Sequence, residues 1–295
     1  MIRQESLEEI SDGKLYSEND CVKADTGNCA GCRQVCCKGM EASIVLDPYD
    51  VYRLTQKTGK SFNELINDKI EINIVDGIML PNMRMNPDTN ACGFLLSDNR
   101  CAIHDARPGV CRMFPLGRYW EDDTHFKYIL QKGQCNKDNL FKIKVKKWID
   151  MHEGEPYREF IILWHVYLKQ IKSAALHLDE QQLRILCMYT LKTFFVTPYM
   201  SSDADGFFRE VRERIQKAYC DGCENYNGVR CRACGIGDAI DIVEDAPTAL
   251  ERTAEWIVQD DTFTRFECSR CHTKNHHTRW NYCPNCGAKM ENAHG

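Results

Sequence analysis

The residues of this chain with the clearest chemistry are its 18 cysteines, and their spacing is typical of metal binding. Four of them, Cys29, Cys32, Cys36 and Cys37, lie in the nine residues Cys29-Ala-Gly-Cys-Arg-Gln-Val-Cys-Cys37. A Cys-x-x-Cys turn places two thiolates on one side of a tight loop, where a single metal ion can reach both. Adjacent cysteines rarely bind the same ion. We therefore expect Cys36 and Cys37 to serve two different sites, or one of them to be a spare.

Four more cysteines follow in the first half of the chain, and we expect the intervening segments to bring them to this loop. They are Cys92, Cys101, Cys111 and Cys135. The stretch from Cys101 to Pro115 also carries Arg107 and Arg112, which flank Cys111. These two arginines either neutralise thiolate or cluster charge, or pin the loop to carboxylates such as Asp105.

The last quarter of the chain repeats paired Cys-x-x-Cys motifs, which predict a small zinc module over residues 220–295. Four thiolates around one zinc ion form a closed tetrahedral site, which is structural rather than catalytic. Gly287 permits the tight turn after the last pair, Cys-Pro-Asn-Cys-Gly. One zinc is expected on Cys268, Cys271, Cys283 and Cys286, and a second site on Cys220, Cys223, Cys231 and Cys234.

The compartment and the charge narrow the classes of function. The first residues are acidic and polar and carry no apolar segment of a signal peptide, so we expect a cytoplasmic protein whose thiols stay reduced. The apolar run 160–168 is too short to span a bilayer. The net charge is −5, and 8 basic against 12 acidic residues from Cys220 onward give the tail a balance of −4. We therefore expect the partner to be another protein rather than nucleic acid.

The elements that must position the cysteines predict an α+β fold. A loop-rich, metal-stapled part with short strands and hairpins (1–136) would pack on a helical part (137–219), followed by the zinc-ribbon-like tail (220–295). Asp47-Pro48 and Ser61 are helix starts, and Asp76-Gly77 is a hairpin turn. A second hairpin is expected at 118–130, with helices over 155–178, 181–196, 203–219 and 248–258.

These motifs carry a resemblance to a known family. The Cys-x-x-Cys-x-x-x-Cys-Cys loop, the stretch Cys101-Ala-Ile-His-Asp-Ala-Arg-Pro-Gly-Val-Cys-Arg-Met-Phe-Pro115 and Gly133-Gln-Cys135 resemble the YkgJ-type cysteine-cluster family. Its hallmark is a zinc- or iron-chelating CxxCxxCC domain. The resemblance runs over about 12–219, and this chain has three residues rather than two before the cysteine pair. The family is similar to the flagellin lysine N-methylases, which are associated with an iron–sulfur cluster.

The resemblance implies metal chelation and leaves two interpretations of the front cysteines. One is a [4Fe–4S] cluster on four thiolates with other thiols nearby, and the other is one or two zinc sites. The function expected first is therefore that of a metal-binding protein. The alternative is a protein lysine N-methylase-like enzyme that uses S-adenosylmethionine. Against that alternative, no glycine-rich loop follows a predicted strand, and whether the chain is an enzyme stays open.

Overall fold

The computed structural model describes residues 7–24, 35–133, 140–150, 153–220, 253–258, 265–269, 274–276 and 289–290. Within these ranges the chain combines helices with short, mostly antiparallel strand pairs, so the fold class is α+β as predicted. The chain divides into two units, one formed by Met1–Tyr157 with Tyr189–Phe207 and the other by Arg158–Met188 with Phe208–Gly295. The domain boundaries expected at 136 and 219 stay predictions.

Among the described residues, the first unit combines short helices with short strands, including the helices predicted at Asp47-Pro48 and Ser61 and the two predicted hairpins. The helices are α1 (Leu7–Ile10), α2 (Pro48–Thr58), α3 (Phe62–Ile66), α4 (Gly109–Met113) and α5 (Val145–Trp148). The strands are β1 (Cys21–Ala24), β2 (Ile70–Val75), β3 (Ile78–Met83), β4 (Leu116–Trp120), β5 (Phe126–Leu130) and β6 (Phe141–Lys144). They form three antiparallel pairs, β1 with β6, β2 with β3 and β4 with β5.

Helix α2 is capped at both ends. Asp47 and Asp50 cap its first turn reciprocally, with Pro48 at the first helical position. Gly59 ends it in the left-handed conformation, at φ 68°. The β2–β3 hairpin turns at Asp76-Gly77, whose two positive φ values fit a two-residue turn of this kind.

An aromatic cluster in the first unit holds α2 in place. The ring of Tyr52 lies 4.7 Å from that of Phe207, and the ring of Tyr49 lies 5.0 Å from it. The Tyr52 hydroxyl also donates to the backbone oxygens of Ser201 and Asp203, at 3.3 and 3.2 Å. Rings and hydrogen bonds thus fix one side of α2 against residues far away in sequence.

Three longer helices follow: α6 (Gly154–Ala175), α7 (Glu180–Leu191) and α8 (Ala204–Cys220), with a π-helical turn Lys192–Val196 after α7. In the second unit, Phe160 and Phe208 pack with ring centroids 5.9 Å apart, and Arg212 pairs with Glu159. Trp164 is buried on α6. Among the described residues, none of these helices combines the length and the apolar character that a membrane crossing requires.

The described part of the tail consists of short strands. These are β7 (Thr253–Ala254), β8 (Trp256–Val258), β9 (Arg265–Cys268), β10 (Lys274–His276) and β11 (Lys289–Met290). Strand β9 lies between β8 and β10 in an antiparallel sheet, and β7 pairs with β11 in parallel. The helix predicted over 248–258 is therefore wrong at 253–258. The aromatic and β-branched residues Trp256, Ile257 and Val258 favour an extended strand, and this strand pairs with β9.

Candidate metal centre

Five of the eight front cysteines fall within the described residues: Cys36, Cys37, Cys92, Cys101 and Cys111. Three others, Cys29, Cys32 and Cys135, lie outside them. In the tail, Cys220 is the last residue of α8 and Cys268 ends β9. The remaining predicted tail ligands lie outside the described residues: Cys223, Cys231, Cys234, Cys271, Cys283 and Cys286.

Backbone hydrogen bonds tie three of the cysteine-bearing segments together. The Cys92 amide donates to the Cys37 carbonyl at 2.7 Å, beside an antiparallel bridge between Lys38 and Ala91. A second bridge pairs Leu95 with Cys101. The short loop after Cys92 thus folds back, so that Cys101 lies near the segment that carries Cys92. The positions of these cysteines are fixed by main-chain contacts that do not depend on the thiols themselves.

Cys111 lies on α4, and a buried carboxylate binds the first residue of this helix. The amide of Gly109, the first residue of α4, donates to Asp50 Oδ1 at 2.8 Å. Asp50 is 1% exposed. The helix is only five residues long, so its position depends on contacts of this kind rather than on its own stability.

The thiols of Cys36, Cys92, Cys101 and Cys111 are close enough to interact electrostatically in every pairwise combination. Burial raises the pKa of Cys92 and Cys101, and raises that of Cys111 strongly, with like-charge repulsion from the neighbouring thiolates adding to it. Arg107 opposes this at Cys101, where its positive charge favours the thiolate. Four chain segments therefore bring thiols into one small, partly buried region.

The adjacent pair Cys36 and Cys37 is asymmetric. Their sulfur atoms lie 3.7 Å apart. This hydrogen bond, with help from Arg107, lowers the pKa of Cys36 to about 7. The same contact and burial raise the pKa of Cys37. Cys36 is thus the member of the pair that carries thiolate character near neutral pH.

The described thiols lie in one region, but not at the distances from one another that binding of a single metal ion requires. Among the residues that the structure describes, no three His, Cys, Asp or Glu side chains form a group that could hold one metal ion. Zinc bound by cysteine needs sulfur atoms about 2.3 Å from the ion. The structure therefore brings the thiols of four segments into one region but does not define a coordination geometry.

The flanking basic residues separate into two roles. Arg107 Nε donates to the His104 carbonyl at 2.9 Å, and its charge acts on Cys36 and Cys101. Arg112 instead is buried. Its guanidinium carbon lies 5.1 Å from the centre of the Tyr157 ring, and its Nη1 lies 3.7 Å from Glu153 Oε2. Neither arginine has an ion pair with Asp105 in the described part of the chain.

Sequence reasoning assigned no part to several residues around this region. Two residues of α2, Asp50 and Arg53, contact the segment between Cys101 and Cys111. Glu153, which precedes α6, contacts Arg112 of α4. A usable signal was present for Asp50. It lies three residues after the helix-capping Asp47, a position at which a carboxylate reaches back to the cap.

The other cysteines are separate from this region in character. Cys187 is a buried residue of α7, 3% exposed, which is typical of a free cysteine that packs as a small apolar side chain. Cys21 lies exposed on β1.

Comparison with known proteins agrees with the chemistry of the site. Residues 28–136 match the family model described as CxxCxxCC, "putative zinc- or iron-chelating domain". No curated protein and no solved structure matches the chain. The matched segment contains all eight front cysteines and the whole stretch from Cys101 to Pro115. The match over residues 28–136 therefore supports metal binding, as zinc or iron chelation, for this part of the chain.

Proposed function

We propose that the front part of this chain holds an iron–sulfur cluster, with Cys36, Cys92, Cys101 and Cys111 at its core. The observation that carries the proposal is the convergence of these four thiols, each interacting electrostatically with the other three. Soft thiolate ligands suit iron–sulfur clusters and zinc and suit hard cations poorly. Cys29, Cys32, Cys37 and Cys135 belong to the same proposed centre as further or alternative ligands.

The surrounding residues fit such a group. Four thiolates concentrate negative charge, and Arg107 places a guanidinium where it favours the ionised form of Cys36 and Cys101. Cys36 is poised to ionise near neutral pH, which binding as a thiolate requires. A bound cluster would supply one-electron chemistry or redox sensing, whereas zinc in the same place would be structural.

The choice of iron over zinc rests on the resemblance to the flagellin lysine N-methylases, and zinc is the second candidate. For the tail we propose structural zinc on the two sets of four cysteines that begin at Cys220 and Cys268. We further propose that the protein works in the cytoplasm, where its thiols stay reduced, and that the tail contacts another protein.

Anaerobic purification with iron, sulfide and zinc analysis tests the proposal. We expect a brown protein with iron and acid-labile sulfide in equal amounts, and zinc that disappears in a chain ending at Tyr219. Cys111→Ser should lose the iron, whereas Cys187→Ser, which removes a buried thiol on α7, should keep it. Colourless protein with zinc that survives truncation would favour the zinc alternative. Protein with neither metal after anaerobic reconstitution would refute the centre.

A further inference from the structure

One face of α2 contacts the segment that joins Cys101 to Cys111. Asp50, Arg53 and Lys57 lie three and four residues apart, so they follow one side of the helix. All three reach residues 105–109. Helix α2 contains no cysteine, and the sequence motifs did not assign it a part in the metal centre.

Two of these side chains bind the backbone of the segment. Asp50 Oδ1 accepts the Gly109 amide at 2.8 Å, while its Oδ2 accepts the Asp47 amide at 3.1 Å. Arg53 donates to the Arg107 carbonyl at 3.4 Å and to the Asp105 carbonyl. The helix thus supplies an acceptor for a free amide and donors for two free carbonyls.

The segment depends on these contacts because it makes little regular structure of its own. A single 3₁₀ turn, His104–Ala106, is followed by Arg107 and Pro108 in extended conformation before α4 begins. Backbone groups in such a segment need partners from elsewhere. Helix α2 is suited to provide them, since it is capped at both ends and fixed by the aromatic cluster of Tyr49, Tyr52 and Phe207.

We propose that Asp50 and Arg53 are positioning residues of the cysteine centre, which set the separation of Cys101 and Cys111 before any metal binds. The inference rests on the proposed metal-binding function. Side chains that orient metal ligands through hydrogen bonds typically change metal affinity by about 10-fold to 100-fold when they are replaced. We expect a weakening in that range for Asp50→Ala, and a smaller one for Arg53→Met, which keeps an unbranched side chain and removes the donors to the carbonyls of Asp105 and Arg107.

Lys57→Ala is the matched control on the same helix face. Lys57 binds the Asp105 side chain rather than the backbone, at 2.7 Å, and both partners are exposed. Asp50→Asn is the conservative variant, because its amide oxygen can still accept from Gly109 while its nitrogen faces the Asp47 amide. It should recover part of what Asp50→Ala loses.

The experiment has two readouts on the full chain. The first is the dissociation constant of Co²⁺, added alone to anaerobic metal-free protein. It is followed by the part of the thiolate-to-cobalt charge-transfer absorption that Cys111→Ser abolishes, so that Co²⁺ at the proposed tail sites is not counted. The second needs no metal: the rate of iodoacetamide labelling of Cys111, measured by mass spectrometry relative to that of Cys187 in the same sample. Loss of positioning should raise the Cys111 rate several-fold at constant Cys187 rate, whereas general unfolding raises both.

The outcomes separate this inference from the proposed function. If Asp50→Ala labels Cys111 selectively and weakens Co²⁺ binding while Lys57→Ala changes neither, the inference holds. If the unmodified chain binds Co²⁺ but Asp50→Ala matches it in both readouts, the inference is wrong and the metal centre stands. If the unmodified chain shows no Co²⁺ absorption that depends on Cys111, the metal function of the front part fails, and the labelling ratio alone still decides whether Asp50 positions Cys111.

Discussion

Gly109 begins the helix that carries Cys111, and we expect that it cannot be replaced by alanine without a measurable loss of stability. A Cβ built on Gly109 would lie 2.8 Å from the Tyr157 hydroxyl oxygen, about 0.6 Å inside the 3.4 Å at which ordinary contact begins. Tyr157 is 1% exposed, so its ring has no free space into which to move. The clash must therefore be relieved by a shift of α4 or of the ring.

The size of the effect follows from this geometry. Overpacking a buried site typically costs about 1–3 kcal/mol. The shift also works against the hydrogen bond from the Gly109 amide to Asp50, whose geometry is good at 2.8 Å. We expect Gly109→Ala to lower the free energy of unfolding by about 2 kcal/mol in the metal-free protein.

A double-mutant cycle with Tyr157→Phe isolates the clash. The phenylalanine ring keeps the packing and removes the atom that meets the new methyl group. Urea unfolding of the four proteins should show that Gly109→Ala costs at least about 1 kcal/mol less in the Tyr157→Phe background. Equal costs in both backgrounds would show that the Tyr157 hydroxyl is not the obstacle and would refute the reasoning.

Three further predictions concern the charges and thiols around this helix. Cys36→Ser should remove more metal than Cys37→Ser, because the hydrogen bond to Cys37 and the charge of Arg107 lower the pKa of Cys36; equal losses on metal analysis would contradict this. Burial and repulsion from Asp50 raise the pKa of Asp47 to about 8, so the folded chain keeps a proton that the unfolded chain loses near pH 4. The contribution of Asp47 to stability should therefore be lost as pH rises from about 4 to about 8, at no more than about 1.4 kcal/mol per pH unit from this one group, and Asp47→Asn, which keeps the cap, should make the slope less steep in urea unfolding. Tyr49→Phe removes a 2.7 Å hydrogen bond to the Glu153 carboxylate and should cost about 1.5–3 kcal/mol, whereas no change in the urea midpoint would mean that water replaces the hydroxyl.

Local signals in the sequence were sufficient for most elements of the first unit. The Asp47-Pro48 pair predicted the start of α2 to within a residue, because capping is decided by neighbours in sequence. Asp76-Gly77 placed the β2–β3 turn for the same reason. Where tertiary pairing decides, prediction failed: residues 253–258 were assigned to a helix but pair as strands.

The candidate centre could be predicted as a set of residue types but not as an arrangement. Cysteine spacing identified the ligands in question, since a short turn fixes its own geometry. The support of Cys111 could not be predicted, because Asp50 meets Gly109 across 59 positions of the chain. A carboxylate on an amphipathic helix is usually solvated, and only the folded chain shows that this one is 1% exposed.

The choice between Cys36 and Cys37 shows where sequence reasoning stops. Both lie on the 3₁₀ turn Val35–Cys37, where successive side chains point about 120° apart. Two neighbours on such a turn cannot present their sulfur atoms in the same direction, but the turn alone does not say which one faces the other cysteines. That is decided by distant residues: the Cys37 carbonyl is bound to the Cys92 amide, and Arg107 acts on Cys36. The two thiols of the adjacent pair therefore differ in their surroundings, although they are neighbours in sequence.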